Sequence, residues 1–169
     1  MSAAVLTSVE EYLATSYEDG DREYIDGEIL EINVGEMDHS DVQTMIAGWF
    51  REHRKRLGIY PLVEIRTQVS PIRFLLPDVA VVLGPRPAGR ILTEPPFLIV
   101  EVLSPEDRVA RIERKIDDYL RFGVRFVWSI DPETRNGHIY TADRRIVVEN
   151  GVYWTDEPRI ELNLAELSA

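Results

Sequence analysis

The chain has 169 residues, 44% hydrophobic and 29% charged, the proportions of one folded globular domain and not of a disordered or collagen-like chain. Its 30 acidic residues outnumber its 19 Lys and Arg, for a net charge of −11. That excludes tight, sequence-independent coating of nucleic acid and leaves only contact through a local basic or metal-charged cleft. Cysteine is absent, so disulfides and thiolate metal sites are excluded too.

The first residues, Met1 to Leu6, lack a basic start and run into Glu10-Glu11, unlike a signal peptide. The longest apolar runs, such as Val79 to Leu83 and Phe97 to Val100, fall far short of the ~20 residues of a membrane helix. The expected location is cytoplasmic, with no membrane partner. Thr7 or Ser8 caps a first helix running to about Tyr17, with Glu10 and Glu11 in its favourable first turn. Arg22 to Ile25, the Asp26-Gly27 turn and Glu28 to Val34 predict a β-hairpin. Val42, Met45, Ile46, Trp49, Phe50 and Leu57 recur at helical spacing, which predicts a helix over 40–57 closed by Gly58.

Strands follow. Tyr60 to Val69 alternates without a break and predicts one strand. Ile72 to Leu76 and Asp78 to Leu83 flank Pro77, which predicts a kinked or edge strand. The Pro-rich stretch 84–96 is a loop, and the almost wholly apolar run Phe97 to Leu103 predicts a strand buried on both faces. A helix over 108–122 ends at Gly123; a strand over 124–130, a hairpin over 137–141 and 146–149, and a short strand with a turn of helix over 158–167 complete the chain. This order predicts a single domain over 1–169, of α/β (α+β) class, around one mixed sheet.

Two carboxylates stand where sheet packing disfavours them. Asp78 sits between Leu75-Leu76 and Val79 to Val82, and Glu101 sits between Phe97 to Val100 and Val102-Leu103. A buried carboxylate must be paired, bind a cation or take up a proton. Two adjacent strands joined by the long loop bring the pair together, and an all-oxygen donor set suits Mg²⁺ or Mn²⁺. Lys115 is a third candidate. It lies about 40° from Tyr119 and about 60° from Ile112 around its helix, at the border of the apolar stripe. Only it and Lys55 are lysine among the 19 basic residues. Each group also has a plain structural explanation: a turn residue after Pro77, an ion-pair partner within a strand, a lysine extending its stem along the core.

The runs Pro77-Asp78-Val79-Ala80-Val81-Val82, Leu98 to Pro105 with its Glu101, Lys115 to Tyr119, Phe122-Gly123-Val124 and Val127-Trp128-Ser129-Ile130-Asp131-Pro132 together resemble a large bacterial family. It is a restriction-endonuclease-like family, long known as a domain of unknown function within the PD-(D/E)XK nuclease superfamily. Arg22 to Glu28 and His39 extend the resemblance, which covers residues from about 8 to 145. It implies a restriction-endonuclease-like mixed β-sheet core flanked by helices, with an N-terminal helix plus β-hairpin and a C-terminal β-hairpin added. It implies a metal-dependent endonuclease hydrolysing phosphodiester bonds. Asp78 and Glu101 match the motif carboxylates, and with the main-chain carbonyl of Val102 they would hold Mg²⁺ (or Mn²⁺). The superfamily lysine would fall at 103, where this chain has Leu103; Lys115 takes its place on the next helix. Glu23 and His39 match further family positions around the site.

The implied partner is a nucleic acid, with DNA the leading candidate, cut by a homodimer because paired cuts in a duplex need two sites. Arg108 and Arg111 are candidate phosphate contacts. The basic run Arg51 to Arg56 suits the negative end of its helix and is also the best local patch for a phosphate. Two rival readings stand beside the nuclease. One is a catalytically inactive nuclease-fold binding module; the other is an interaction module in which Arg66 or Arg73 neutralises the two carboxylates. The stretch Gly84 to Gly89 lacks the Lys-Ser/Thr of a phosphate loop, and Ser104 lacks the Gly-x-Ser-x-Gly setting of a hydrolase nucleophile. His53 and His138 have no ligand spacing around them.

Overall fold

The computed structural model describes residues 6–18, 20–32, 36–105 and 109–168. Ser8 caps α1 (Val9–Ala14) by accepting the Glu11 N–H at 3.1 Å. Strands β1 (Arg22–Ile25) and β2 (Glu28–Glu31) form the expected hairpin, and its turn needs positive φ at both Asp26 (53°) and Gly27 (97°). Helix α2 spans Met37–Leu57 and ends on Gly58 in the left-handed conformation.

Next come β3 (Ile59–Val63), β4 (Thr67–Ser70), β5 (Arg73–Leu75), β6 (Val79–Leu83) and β7 (Leu98–Val102). After α3 (Val109–Phe122) follow β8 (Phe126–Ile130), β9 (Gly137–Tyr140), β10 (Arg145–Val148), β11 (Val152–Thr155) and β12 (Ile160–Asn163), then a 3₁₀ turn over Glu166–Ser168. Among the described residues no helix is long and apolar enough to cross a membrane.

The strands form a six-stranded mixed sheet in the order β10-β9-β8-β7-β6-β3, a four-stranded antiparallel sheet β2-β1-β5-β4, and the pair β11-β12. Only β7 and β8 run parallel in the large sheet, and α3 makes the crossover between them. The expected mixed sheet flanked by helices is there, with the N-terminal helix and hairpin and the C-terminal hairpin added.

Three details differ from the sequence reading. The alternating run 60–69 is two strands in two sheets, because Glu64 takes φ 48° and turns the chain from β3 out of the large sheet. Pro77 marks a corner between sheets, not a kinked or edge strand: β5 lies in the four-stranded sheet and β6 lies between β7 and β3. Strand β11 was not anticipated, although Val152-Tyr153-Trp154-Thr155 after Asn150-Gly151 carries a strand signal.

The period of two along the central strands decides what each helix covers. Val42, Ile46 and Phe50 of α2 share one core with Val79, Val81, Leu98, Val100 and Trp128. Ile116 and Tyr119 of α3 share the other with Ala80, Ile99 and Val127. Glu101 follows Ile99 by two residues, so it faces α3 while its neighbours Val100 and Val102 face α2. Phe74 and Trp128 are wholly buried core residues, and Trp49 is half-buried and stacked on His53.

Candidate active site

A cleft of about 190 Å³ opens where the N-terminal half of α2, the ends of β6 and β7, and the first turns of α3 meet. Asp78, Glu101, Val102, Lys115, His39 and Arg111 all line it. Glu23 stands behind Lys115, from the neighbouring sheet. Of the residues singled out in the sequence, Arg108 lies outside the described residues.

Asp78 stands just before β6, where it accepts the Val102 N–H at 2.6 Å through Oδ2. Its Oδ1 lies 3.4 Å from Nε2 of His39, in the first turn of α2. The Asp78 side chain is therefore tied to the strand that carries Glu101. Glu101 is 4% exposed and accepts the Tyr119 hydroxyl at 2.7 Å. Lys115 is held by three acceptors: Glu101 at 3.0 Å, Glu23 at 2.9 Å and the Leu76 carbonyl at 3.1 Å. Glu23, 1% exposed, accepts the Leu76 N–H at 3.1 Å and lies 3.3 Å from Nη2 of Arg111, which also donates to the Glu31 carbonyl. The four-stranded sheet thus supplies the second buried carboxylate that fixes the lysine of α3.

The electrostatics follow from this packing. Burial pushes the Glu101 carboxyl up to about 8, opposed by the Lys115 charge and reinforced by Asp78 and Glu23. Burial alone would pull Lys115 down, but Glu101, Glu23 and Asp78 outweigh it and hold the ammonium above its ordinary value. Burial likewise pushes Glu23 up, and Lys115, the Leu76 N–H and Arg111 more than reverse it. Burial and the Glu101 charge raise Tyr119 well above its ordinary value, so it stays a neutral donor. Four acidic side chains, Asp78, Glu101, Glu64 and Glu23, stand in or directly behind the cleft against Lys115 and Arg111.

The donor set suits a hard cation. Asp78 and Glu101 offer only oxygen, and Mg²⁺ is ordinarily held by one or two carboxylates and several waters. The described residues contain no group of three or more His, Cys, Asp and Glu placed to hold a metal ion. Neither carboxylate is neutralised by the arginines considered above. Arg66 pairs with Asp21, and Arg73 pairs with Asp26 and Asp118. The arginine-capped interaction module is therefore not what the structure contains.

Three contributors escaped the sequence reading. Gln43 donates to the Asp78 carbonyl at 3.2 Å and to Glu64 at 3.1 Å. It lies four residues after His39 on one helix face, a spacing that was legible. Glu64 reaches the cleft only because its backbone leaves the strand, which no pattern announces. Tyr119 reads as apolar core, and its hydroxyl acquires a role only once Glu101 is placed opposite α3.

Residues 9–168 match the family Uma2, described as "Putative restriction endonuclease". The fold is similar to that of a "putative nuclease belonging to DUF820" from Anabaena variabilis ATCC 29413, with a TM-score of 0.80 at 21% identity, over 94% of this chain and 95% of that one. At that identity the likeness shows the fold. No curated protein matches the chain. The family match spans nearly the whole sequence, with Asp78 and Glu101 inside it, and the chain belongs to the Uma2 family.

Proposed function

We propose that this protein is a metal-dependent nuclease that hydrolyses phosphodiester bonds, with DNA as its leading substrate. The observation that carries the reading is the convergence of Asp78, Glu101 and Lys115 on one cleft, with Lys115 fixed between two buried glutamates. Asp78, Glu101 and the main-chain carbonyl of Val102 would hold Mg²⁺ or Mn²⁺. When bound, that ion supplies Lewis acidity toward the phosphate and acidifies an attacking water.

The chain's own residues do the rest. Lys115 stays protonated and is held by three acceptors, so it cannot serve as a base. It is a fixed positive charge that orients water and neutralises charge growing on the phosphoryl oxygens. Glu23 and Arg111 position it, and Tyr119 fixes the Glu101 carboxylate. His39, beside Asp78, holds that carboxylate's outer oxygen. Arg111, and Arg108 in the segment before α3, are placed in the sequence to meet a substrate phosphate. A homodimer acting in the cytoplasm completes the reading, with sedimentation as the check on its oligomeric state.

Calorimetry with Mn²⁺ tests it. The native chain should take up the ion, and Asp78→Ala and Glu101→Ala should each lower that affinity at least tenfold. Cleavage of a labelled oligonucleotide should then fall at least a hundredfold in Lys115→Ala while Mn²⁺ uptake persists. A specific observation favours the rival, a catalytically inactive binding module: Glu101 is already engaged by both Lys115 and Tyr119. Absence of Mn²⁺ uptake and of cleavage, with nucleic-acid binding retained, would select that rival.

A further inference from the structure

The basic end of α2 finds no use in the chemistry above. Among the described residues, no carboxylate lies within 4.0 Å of a side-chain nitrogen of Arg51, Arg54, Lys55 or Arg86. Elsewhere Arg22, Arg66, Arg73, Arg111 and Arg159 are paired with acids, whereas Arg90, Arg114, Arg121, Arg125, Arg135 and Arg145, like the α2 group, have no carboxylate at that distance among the described residues. What distinguishes the α2 end is spacing: Arg51, Arg54 and Lys55 fall within five residues, with Glu52 the one acid among them. Arg51 lies 5.6 Å over the ring of Tyr60 on β3. Arg51 is the largest influence drawing the Tyr60 hydroxyl below its ordinary value, and the charges of Arg86 and Arg54 act in the same sense.

This patch is connected to the cleft. A groove of about 550 Å³ runs between α2 and β3, lined by Gln43, Thr44, Gly48, Arg51, Val63 and Glu64. Gln43 and Glu64 also line the cleft, so the two depressions share a wall. On the helical wheel no acidic residue of α2 falls within about 60° of Arg51, while Ser40, Thr44, Gly48, Arg54 and Lys55 do. The stripe is therefore neutral beside the cleft and cationic at its far end. From Gln43, Arg51 is about 12 Å along the axis and Lys55 about 18 Å. That is the rise of roughly three to five base pairs at 3.4 Å of duplex axis per pair.

We infer that the α2–β3 groove carries the substrate strand away from the cleft, with Arg51, Arg54 and Lys55 contacting the phosphates that flank the cut. The inference rests on the nuclease reading and assigns the surface on which that substrate lies. Gly48 is the position that tests it. A Cβ there meets nothing within 4 Å, so a side chain enters the groove without disturbing the core.

Binding of a fluorescein-labelled 20-base-pair DNA duplex and of one of its strands is measured by anisotropy in Mg²⁺, on an Asp78→Asn parent that cannot cut. Gly48→Glu and the triple variant Arg51→Ala/Arg54→Ala/Lys55→Ala should each weaken binding at least tenfold. The triple variant should also flatten the slope of log K against log salt by about two to three, at roughly 0.9 per lost duplex phosphate contact. Gly48→Ala should bind like the parent. Because Gly48→Glu replaces a helical glycine with a better helix former, weaker binding accompanied by an unchanged or higher melting temperature excludes misfolding. If the parent binds and all three variants match it in affinity and slope, the strand runs elsewhere and the nuclease reading survives. If the parent binds neither duplex nor single strand, the nuclease reading and this path fall together.

Discussion

Glu101 is the residue on which stability and chemistry pull against each other. Its carboxyl, pushed up to about 8 by burial, keeps its proton in the folded chain over a pH range where the unfolded chain, at about 4.5, has lost it. The folded state therefore binds more protons between those values, and stability falls as pH rises from about 5 to 8. Glu23 acts in the opposite sense and in a different window: its carboxyl is held below the ordinary value, so its contribution is lost only as pH drops below about 4.5. Metal-free native protein should melt at least about 3 °C lower at pH 8 than at pH 5.5, on the order of 1 kcal/mol for a chain of this size. Glu101→Gln, which cannot titrate, should give a flat profile over that window whatever its height; a slope equal to the native one would assign the effect to another group. At this scale much of the site was legible. A carboxylate inside an apolar strand declares itself, and so does a rare lysine beside the apolar stripe. The hydroxyl of Tyr119 and the backbone of Glu64 did not, because their roles arise from groups brought in from other elements.

The elements that place the site are those whose pattern is strongest. Helices α2 and α3 and strands β7 and β8 lie within a few residues of where periodicity put them, because each buries a face whose spacing is written into the chain. What periodicity could not convey is which sheet a strand joins. Alternation continues unbroken from β3 into β4, yet Glu64 turns the chain between two sheets, and the two flanks of Pro77 part in the same way. Those two corners matter, since they bring Asp78 and Glu64 to the cleft. Within α2 the strong pattern is confined to the buried side, and the exposed side holds Gly48, which costs helical stability and fills no tight space. Gly48→Ala should raise stability by about 0.5–1 kcal/mol, read from urea midpoints at constant m-value. A loss would mean that α2 is strained near its middle.

For the molecule as a whole the governing quantity is the excess of 30 acidic over 19 basic residues. Some of the acids gather at the cleft, and others, such as Glu52 within the basic end of α2, are spread over the surface. Like charges spread over a compact body repel, and the repulsion is relaxed on unfolding. Opposing it are surface ion pairs such as Arg159 with Asp156 and Glu161, and Arg73 with Asp26. Exposed pairs of this kind contribute only about 0–1 kcal/mol each. Salt weakens both effects but not equally. Raising ionic strength from about 0.01 to 0.15 M shortens the screening length from about 30 to 8 Å, which removes repulsion acting across the molecule while leaving contacts of 3–4 Å largely intact. Metal-free protein should therefore melt about 2–4 °C higher in 150 mM than in 10 mM NaCl at neutral pH. Neutralising the excess should abolish the gain, so a variant with several exposed acids far from the cleft changed to glutamine should show a smaller salt response. A melting temperature that falls on adding salt would mean that the ion-pair network outweighs the net charge, and would make the acidic surface a stabilising feature instead of a cost.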